Sequence, residues 1–130
     1  ETRNALGELV QVTDALGNGV TYTYDATGNL KTSLQTASDT ATTALTTLTH
    51  DRLGRKTAMT DANMGTWGYV YNAFGELIQQ NTGISGKYTT VAYDLLGRMT
   101  TRIDWTGGGA GYTGGTQEAN AGWIYDAGSR

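Results

Sequence analysis

The sequence predicts an all-β protein made of antiparallel β-hairpins, and three observations carry this prediction. A turn motif built on Asp or Asn followed by Gly recurs along the chain, the segments between the motifs alternate apolar and polar residues, and Pro is absent from all 130 residues. Alternation with a period of two is typical of strands, and a chain without Pro has a backbone N–H available at every ladder position. No stretch shows the sustained spacing of three and four that an amphipathic helix needs.

The repeated motif organises the whole chain. It consists of an aromatic residue, Asp or Asn, two variable residues, Gly, a polar residue and an apolar residue, and its copies lie near residues 3–9, 24–30, 50–56, 71–77, 93–99 and 125–130. The glycines of the first five copies are separated by 21, 26, 21 and 22 residues. Weaker half-units at Asp14–Gly17 and Asp61–Gly65 shorten the interval between turns, as expected for short strands joined by tight turns.

The chemistry of the motif predicts the type of turn. An Asp or Asn at the first position can accept a hydrogen bond from its own backbone two residues further on. The variable residues suit a type I turn, and Gly then supplies the left-handed conformation that closes a hairpin loop of three or more residues with a G1 bulge. The aromatic residue and the Asp are therefore interpreted as a strand end and a turn rather than as a ligand site.

Two segments interrupt the period, and we treat them as insertions in a single repeat segment spanning 1–130. The first, about 33–47, is rich in Thr and Ala, and a loop or an extended strand is favoured over a short helix there. The second, about 105–121, contains a glycine-rich run typical of a flexible loop.

A pair of propeller blades is the alternative fold. Gly7 and Gly54 are 47 residues apart, and Gly54 and Gly97 are 43 apart, which is close to the length of a four-stranded blade. The usual signature of such blades is missing.

Composition excludes several functions. Charged residues make up 16% of the chain and the net charge is −3, whereas nucleic-acid binding needs clustered Lys and Arg. The absence of Cys excludes a disulfide scaffold, a Cys-ligated zinc site and a cysteine nucleophile. Apolar runs are too short for a membrane-spanning helix or the core of a signal peptide.

Several copies of the motif resemble a known family. Tyr24–Leu30 (Tyr-Asp-Ala-Thr-Gly-Asn-Leu) and Tyr93–Met99 (Tyr-Asp-Leu-Leu-Gly-Arg-Met) resemble the YD repeat of Rhs proteins, insecticidal toxin-complex C subunits and teneurins. Arg3–Gly7 followed by Thr13–Asn18 also resembles bacterial Rhs units. The resemblance covers nearly the whole chain apart from the two insertions. His50 and Asn72 depart from the Tyr and Asp of the pattern, and Ser129 stands where Gly is expected.

The resemblance implies both a fold and a function. Long arrays of such repeats form one curved, spiralling sheet that closes into a hollow shell around a variable C-terminal toxin. This chain would then be a non-catalytic wall segment, secreted or on the surface of a bacterium and used in bacterial competition, with the rest of the shell and the toxin as its partners. The family's self-cleavage region carries an Asp-Pro motif, and because this chain has no Pro, no cleavage residue is assigned here.

Four other patterns were weighed as sites and a structural role was favoured for each. Gly109–Gly114 satisfies a dinucleotide-binding glycine pattern but lacks the helix that must follow it. Asp61–Gly65 begins like a calcium loop, with Gly one residue early and Asn72 at the closing position. His50 is the only histidine and takes an aromatic slot. The side chains of Trp67, Trp105 and Trp123 could stack on a sugar but more often fill cross-strand pairs.

No catalytic, cofactor-binding or metal site is therefore predicted, and the chain is not expected to be an enzyme. The eight Asp residues are dispersed at turns rather than paired. A carbohydrate- or receptor-binding surface repeat, with a glycan as partner, is the alternative function. Unpaired strand edges also predict self-association.

The turn assignment makes the repeat glycines sensitive positions. Gly28→Ala, Gly75→Ala and Gly97→Ala are each expected to destabilise the fold by about 1 kcal/mol or more, because a Cβ would sit at positive φ. Gly108→Ala, in the glycine-rich run, is expected to cost almost nothing.

Overall fold

All regular structure in the described residues is β-strand, which confirms the all-β prediction. The computed structural model describes residues 1–38, 43–109 and 112–126, and the chain divides into two compact units, Glu1–Gly65 and Thr66–Arg130. The strands are β1 (Thr2–Arg3), β2 (Leu9–Thr13), β3 (Gly19–Tyr24), β4 (Leu30–Thr36), β5 (Thr43–His50), β6 (Lys56–Asp61), β7 (Gly65–Tyr71), β8 (Leu77–Asn81), β9 (Tyr88–Tyr93), β10 (Met99–Thr106) and β11 (Thr116–Gly122).

The first unit is an antiparallel meander in which each strand pairs with the next, from β1 to β6. Strands β4 and β5 pair from Thr32 opposite Thr47 to Thr36 opposite Thr43, so the ladder runs through most of the Thr- and Ala-rich segment. Because pairing continues past the fourth strand without a break, the alternative of four-stranded propeller blades is wrong. Residues 39–42 of that segment lie outside the described residues.

The second unit is also an antiparallel meander. Within it, β7 pairs with β8, β8 with β9, β9 with β10, and β10 with β11. The last pair closes with Thr106 opposite Thr116, so the glycine-rich run lies between β10 and β11.

The turns adopt the predicted three-residue loop with Gly in the left-handed region. In the turn after β3, the N–H of Asp25 donates to the carbonyl oxygen of Asn29 at 2.9 Å, and the N–H of Gly28 donates to that of Asp25 at 3.1 Å. Gly28 has φ +84°. The same two bonds and a positive φ recur at the glycines of five other turns, namely Gly7, Gly17, Gly54, Gly75 and Gly97.

A second irregularity follows each of the first five copies of the motif, and the sequence did not reveal it. In the β3–β4 ladder, Thr23 lies opposite Thr32 but Tyr24 lies opposite Leu30, which leaves Lys31 as a bulged residue. Four other hairpins shift at the same place, three residues after the turn glycine, at Val10, Thr57, Ile78 and Thr100. The β2–β3 ladder, at a half-unit, has no such shift. A bulge bends its strand and raises the local twist, so full and half units differ in backbone shape.

Most side chains of this sheet are half-exposed, and the only buried hydrophobic side chain among the described residues is that of Tyr88, which is 5% exposed. Its ring stacks on the ring of Trp105, the residue opposite it in β10, with centroids 5.8 Å apart and planes 6° apart. The ring of Tyr112 meets Tyr88 edge-on at 6.2 Å, and Tyr112 itself has φ +55°. The glycine-rich connection thus contributes a side chain to the most buried part of the second unit.

The backbone of that connection also packs against Tyr88. The N–H of Gly108 donates to the carbonyl oxygen of Gly86 at 3.0 Å, and a Cβ on Gly108 would lie 2.7 Å from Cε1 of the Tyr88 ring. Such a distance is too short for two carbon atoms, and the ring is held by Trp105. The expectation that Gly108→Ala costs almost nothing is therefore wrong.

We expect Gly97→Ala and Gly108→Ala each to lower the free energy of unfolding, for different reasons. At Gly97 the Cβ would sit at φ +76° and 3.0 Å from a carboxylate oxygen of Glu76, and a cost of about 1 kcal/mol or more follows. At Gly108 overpacking against Tyr88 is expected to cost about 1–3 kcal/mol. Gly109→Ala is the matched control, because its Cβ would have nothing nearer than 4.0 Å. Urea unfolding of the three variants measures this, and equal midpoints for Gly108→Ala and Gly109→Ala would contradict the packing at Tyr88.

Candidate functional site

The feature that recurs in both units is a side-chain cap inside each turn. In the turn Asp25–Asn29, Oδ1 of Asp25 accepts the backbone N–H of Thr27 at 2.9 Å and that of Asn29 at 3.0 Å. The first residue of every other repeat turn does the same for the third and fifth residues, at 2.9 to 3.0 Å; these first residues are Asn4, Asp14, Asp51, Asn72 and Asp94. The cap bonds backbone groups that the loop would otherwise leave unpaired.

The side chain of the first residue also forms a hydrogen bond with the side chain of the fifth residue. Each residue type at the first position occurs with particular residue types at the fifth. Where the first residue is Asp, the fifth is Asn or Arg, as in Asp94, whose Oδ2 accepts Nε–H of Arg98 at 2.8 Å. Where the first residue is Asn, the fifth is Glu, as in Asn72, whose Nδ2 donates to Oε2 of Glu76 at 2.6 Å. The remaining pairs are Asn4–Glu8, Asp14–Asn18, Asp25–Asn29 and Asp51–Arg55.

Hydrogen-bond chemistry explains this matching. Because Oδ1 already accepts two backbone N–H groups, the other terminal atom of the side chain decides which residue type can stand at the fifth position. This atom is Oδ2 in Asp and Nδ2 in Asn. That atom is an acceptor in Asp and a donor in Asn. The fifth residue therefore has to donate to Asp and accept from Asn. The repeat motif specifies only a polar residue at this position, although the co-occurrence of Asn with Glu and of Asp with Asn or Arg is visible in the sequence.

Capping lowers the pKa of the turn carboxylates. Hydrogen bonds from the side chains of Thr27 and Asn29, and then from backbone N–H groups, hold the pKa of Asp25 well below its usual value. The side chain of Asn18 lowers the pKa of Asp14 in the same way. The backbone N–H of Arg98, followed by its side chain, lowers the pKa of Asp94. These shifts are explained by structural bonds within each turn, so they do not by themselves indicate a reactive site.

Successive full turns along one edge of each unit contact one another through the fifth residue. In the first unit, a carboxylate oxygen of Glu8 lies 3.4 Å from where a Cβ on Gly28 would be, and Oδ1 of Asn29 lies 3.2 Å from the same point on Gly54. In the second unit, a carboxylate oxygen of Glu76 lies 3.0 Å from where a Cβ on Gly97 would be. We call each such series of contacting turns a turn column. Gly is needed in it both for its positive φ and because the neighbouring turn leaves little room.

The tyrosines of the motif connect the columns to the ladder. The hydroxyl of Tyr24 donates to the carbonyl oxygen of Leu9 at 2.8 Å, and that of Tyr93 donates to the carbonyl of Leu77 at 3.0 Å. Tyr125 repeats the bond to Met99 at 2.7 Å. Each acceptor is the residue just before a bulge, so the tyrosine of one copy binds the backbone at the bulge of the copy before it. The guanidinium of Arg98 also lies 4.4 Å from the ring centre of Tyr125.

The positions weighed as calcium and metal ligands lie in a turn and at a strand end among the described residues. Oδ1 of Asp61 accepts the N–H groups of Asn63 and Met64, and Oδ2 accepts the hydroxyl of Thr46 at 2.6 Å. His50 ends β5 opposite Lys56. Residues 1–38, 43–109 and 112–126 contain no group of three or more His, Asp or Glu placed to hold a metal ion.

The remaining candidates are not brought together as one site. Trp105 forms a cross-strand stack with Tyr88, and its Nε1–H donates to Oγ1 of Thr90 at 2.9 Å. Trp67 lies in β7, and Trp123 follows β11. The dinucleotide-type glycine pattern lies between β10 and β11, with residues 110 and 111 outside the described part. In the described ranges, no helix has the length and apolarity needed to cross a membrane.

Comparison with known proteins agrees with the turn geometry. The family model described as RHS Repeat matches residues 3–42 and 71–108, together more than half of the chain. The chain belongs to the RHS repeat family. This confirms the resemblance noted in the sequence. No curated protein matches.

A solved structure of another protein has a similar fold. A chain in the crystal structure of TcdB2-TccC3-Cdc42 is similar with a TM-score of 0.76 and 23% sequence identity over 94% of the RHS repeat chain. The RHS repeat chain spans 6% of the length of that solved chain. The antiparallel repeat fold is thus found within a much larger protein.

The matching of first and fifth turn residues predicts a specific coupling. Asn72→Asp is expected to destabilise the fold by about 1 kcal/mol or more, because two carboxylates would then face each other where a 2.6 Å hydrogen bond stood. Adding Glu76→Arg is expected to restore stability, with a coupling energy of about 0.5–3 kcal/mol in a double-mutant cycle by urea unfolding. A second double-mutant cycle, with Asp94→Asn and Arg98→Glu, makes the opposite exchange of residue types in the turn Asp94–Arg98. Additive effects in both cycles would contradict the matching.

The lowered pKa values of the turn carboxylates predict acid sensitivity. A carboxylate whose pKa is lower in the folded state stabilises the fold above its unfolded pKa of about 3.9, and that contribution is lost as the pH falls from there through the folded pKa. Urea unfolding is therefore expected to give similar stability at pH 7 and pH 5 and lower stability at pH 3. Asp25→Asn removes one such group and is expected to weaken the pH dependence. An unchanged pH profile in that variant would show that Asp25 does not contribute.

Proposed function

We propose that this RHS repeat chain is a non-catalytic wall segment of a repeat shell that encloses a C-terminal toxin. The observation that supports the proposal best is the turn column, in which each full turn contacts the next one within its unit through its fifth residue. Contacts of this kind between like copies suit a repeated wall, because each copy offers its neighbour the same surface.

The use of the polar side chains also supports a structural role. The polar groups that recur most, the first and fifth residues of the turns and the tyrosine hydroxyls, are bonded to the backbone or to one another. Asp94, for example, binds two backbone N–H groups and Arg98, which leaves it poorly suited to act as a general base. The proposal therefore includes no catalysis by this chain.

The proposed partners and location follow from the family. They are the remainder of the shell and its C-terminal toxin, in a protein that is secreted or carried on the surface of a bacterium and serves in competition. Self-association through exposed strand edges is part of the same proposal. The RHS repeat chain spans 6% of the solved chain with a similar fold, so the proposal places it as one stretch of a longer repeat array.

A carbohydrate- or receptor-binding repeat is the alternative, and no specific observation favours it. A sugar-binding platform uses the open face of an aromatic ring. At Trp105 one ring face is stacked on Tyr88 within the sheet. The aromatic residues near it thus contribute to packing in the second unit.

The wall function is tested by protection of an enclosed domain. The segment is placed in a full repeat array that ends in a reporter domain, and the array is treated with protease while reporter cleavage is followed over time. A wall segment is expected to keep the reporter resistant. Gly97→Val, which disrupts a turn in the column, is expected to expose it.

Gly109→Ala is the control in the same array, since its Cβ has open space. Equal protection by the parent array and by Gly97→Val would contradict a role for the turn column in the wall. Cleavage of the reporter at the same rate in the parent array and in an array lacking the segment would contradict the wall function itself.

A further inference from the structure

The turn Asp14–Asn18 ends on the one asparagine of the chain that is followed by glycine. The sequence contains seven Asn residues, and only Asn18 precedes a glycine, Gly19. Asparagine is a chemically labile residue, because its side-chain amide can be attacked by the backbone nitrogen of the next residue. Glycine at that next position hinders the attack least, since it has no side chain and gives the backbone the most freedom.

The fold itself does not require glycine at position 19. Gly19 is absent from the glycines with positive φ, whereas Gly17 in the same turn has φ +87°. A Cβ on Gly19 would lie 3.7 Å from the carbonyl oxygen of Val12 and 4.0 Å from Oγ1 of Thr13, and both are ordinary contact distances. An alanine therefore fits at position 19 without strain, so turn geometry does not explain why glycine follows Asn18.

The amide of Asn18 is held by hydrogen bonds on both of its terminal atoms. Nδ2 donates to Oδ2 of Asp14 at 2.7 Å, and Oδ1 accepts the backbone N–H of Ser38 at 3.1 Å. The tip of the turn, residues 15–17, is exposed. Exposed hairpin ends open locally at a lower free energy than the whole fold unfolds. Reaction of the amide is therefore expected to follow the local opening of this turn.

We propose that Asn18 is a site of spontaneous deamidation, and that the reaction disrupts the turn Asp14–Asn18. The backbone nitrogen of Gly19 attacks Cγ of Asn18, so that a new C–N bond forms and the Cγ–Nδ2 bond breaks. The proton of the Gly19 N–H leaves with the amide group as ammonia. Water, the only co-reactant, then opens the five-membered succinimide at either carbonyl carbon and leaves aspartate or isoaspartate at position 18.

Both products violate the pairing of first and fifth residues that holds the turn. The side chain of Asp14 needs a hydrogen-bond donor at the fifth position, and each product places a second carboxylate there. A 2.7 Å hydrogen bond is replaced by two like charges. Isoaspartate also adds one carbon atom to the main chain within the turn. Deamidation would thus be a one-way change of a single hairpin, and this inference does not depend on the proposed wall function.

Ageing of the 130-residue chain in mildly alkaline buffer tests the site. Peptide mass spectrometry and an isoaspartate methyltransferase assay follow the products at each asparagine. Asn29 is the internal control, because it is also the fifth residue of a turn and its Nδ2 donates to Oδ2 of Asp25 at 3.1 Å, but Leu30 follows it. Deamidation at Asn18 is expected to be at least about tenfold faster than at Asn29.

Gly19→Ala is the matched variant, since it removes the reactive dipeptide at a position that accepts a Cβ. It is expected to slow deamidation at Asn18 by at least about tenfold and to leave thermal melting unchanged. Asn18→Asp reproduces one product and is expected to lower the urea midpoint. The aged parent chain is expected to show the same decrease, and Gly19→Ala aged in parallel is expected to keep its midpoint.

Equal rates at Asn18 and Asn29 in the parent chain overturn the site, and this comparison holds whatever Gly19→Ala does to stability. An equal rate at Asn18 in the parent and in a folded Gly19→Ala variant overturns it as well. A urea midpoint unchanged both in Asn18→Asp and in the deamidated chain would overturn the disruption of the turn.

Discussion

The structure depends on one side-chain oxygen that accepts two backbone N–H groups inside each turn. This oxygen, on Asp or Asn, holds the third and fifth residues of the loop in place, and Gly at the fourth position supplies the backbone conformation that lets the chain reverse. A sheet with so little buried side-chain area gains little from burial alone. Its register therefore relies on turns whose geometry is set locally.

The same turns also connect one copy of the repeat to the next. The fifth residue bonds the first and contacts the glycine of the following turn, and the motif tyrosine binds the carbonyl beside the preceding bulge. Glu76 illustrates both roles, with one carboxylate oxygen on Asn72 and the other close to Gly97. A substitution at this position thus affects two turns at once. The repeat extends through such contacts between adjacent copies, as expected for proteins whose units interact mainly with their neighbours.

Local chemistry was predictable and contacts between distant residues were not. The turn type, the left-handed glycines and the antiparallel hairpins follow from residues within five positions of one another, and the family follows from their recurrence. The bulge at Lys31, the acceptor of the Tyr24 hydroxyl and the packing of Gly108 on Tyr88 each involve residues some eight to twenty positions apart. Composition indicated a flexible role for Gly108 because glycine-rich sequence looks the same whether it is free or packed.

The sequence by itself determined where the chain turns, which residue closes each turn, that the strands are antiparallel, and that the chain is an RHS repeat. These features depend on hydrogen bonds within a few residues and on the period of the motif. The tertiary structure decided which side chains meet across strands, where the bulges lie, and that the rings of Trp105 and Tyr112 pack against Tyr88, the one buried hydrophobic side chain among the described residues. Those contacts depend on strand register and on the path of the β10–β11 connection, which arise only when the ladders form.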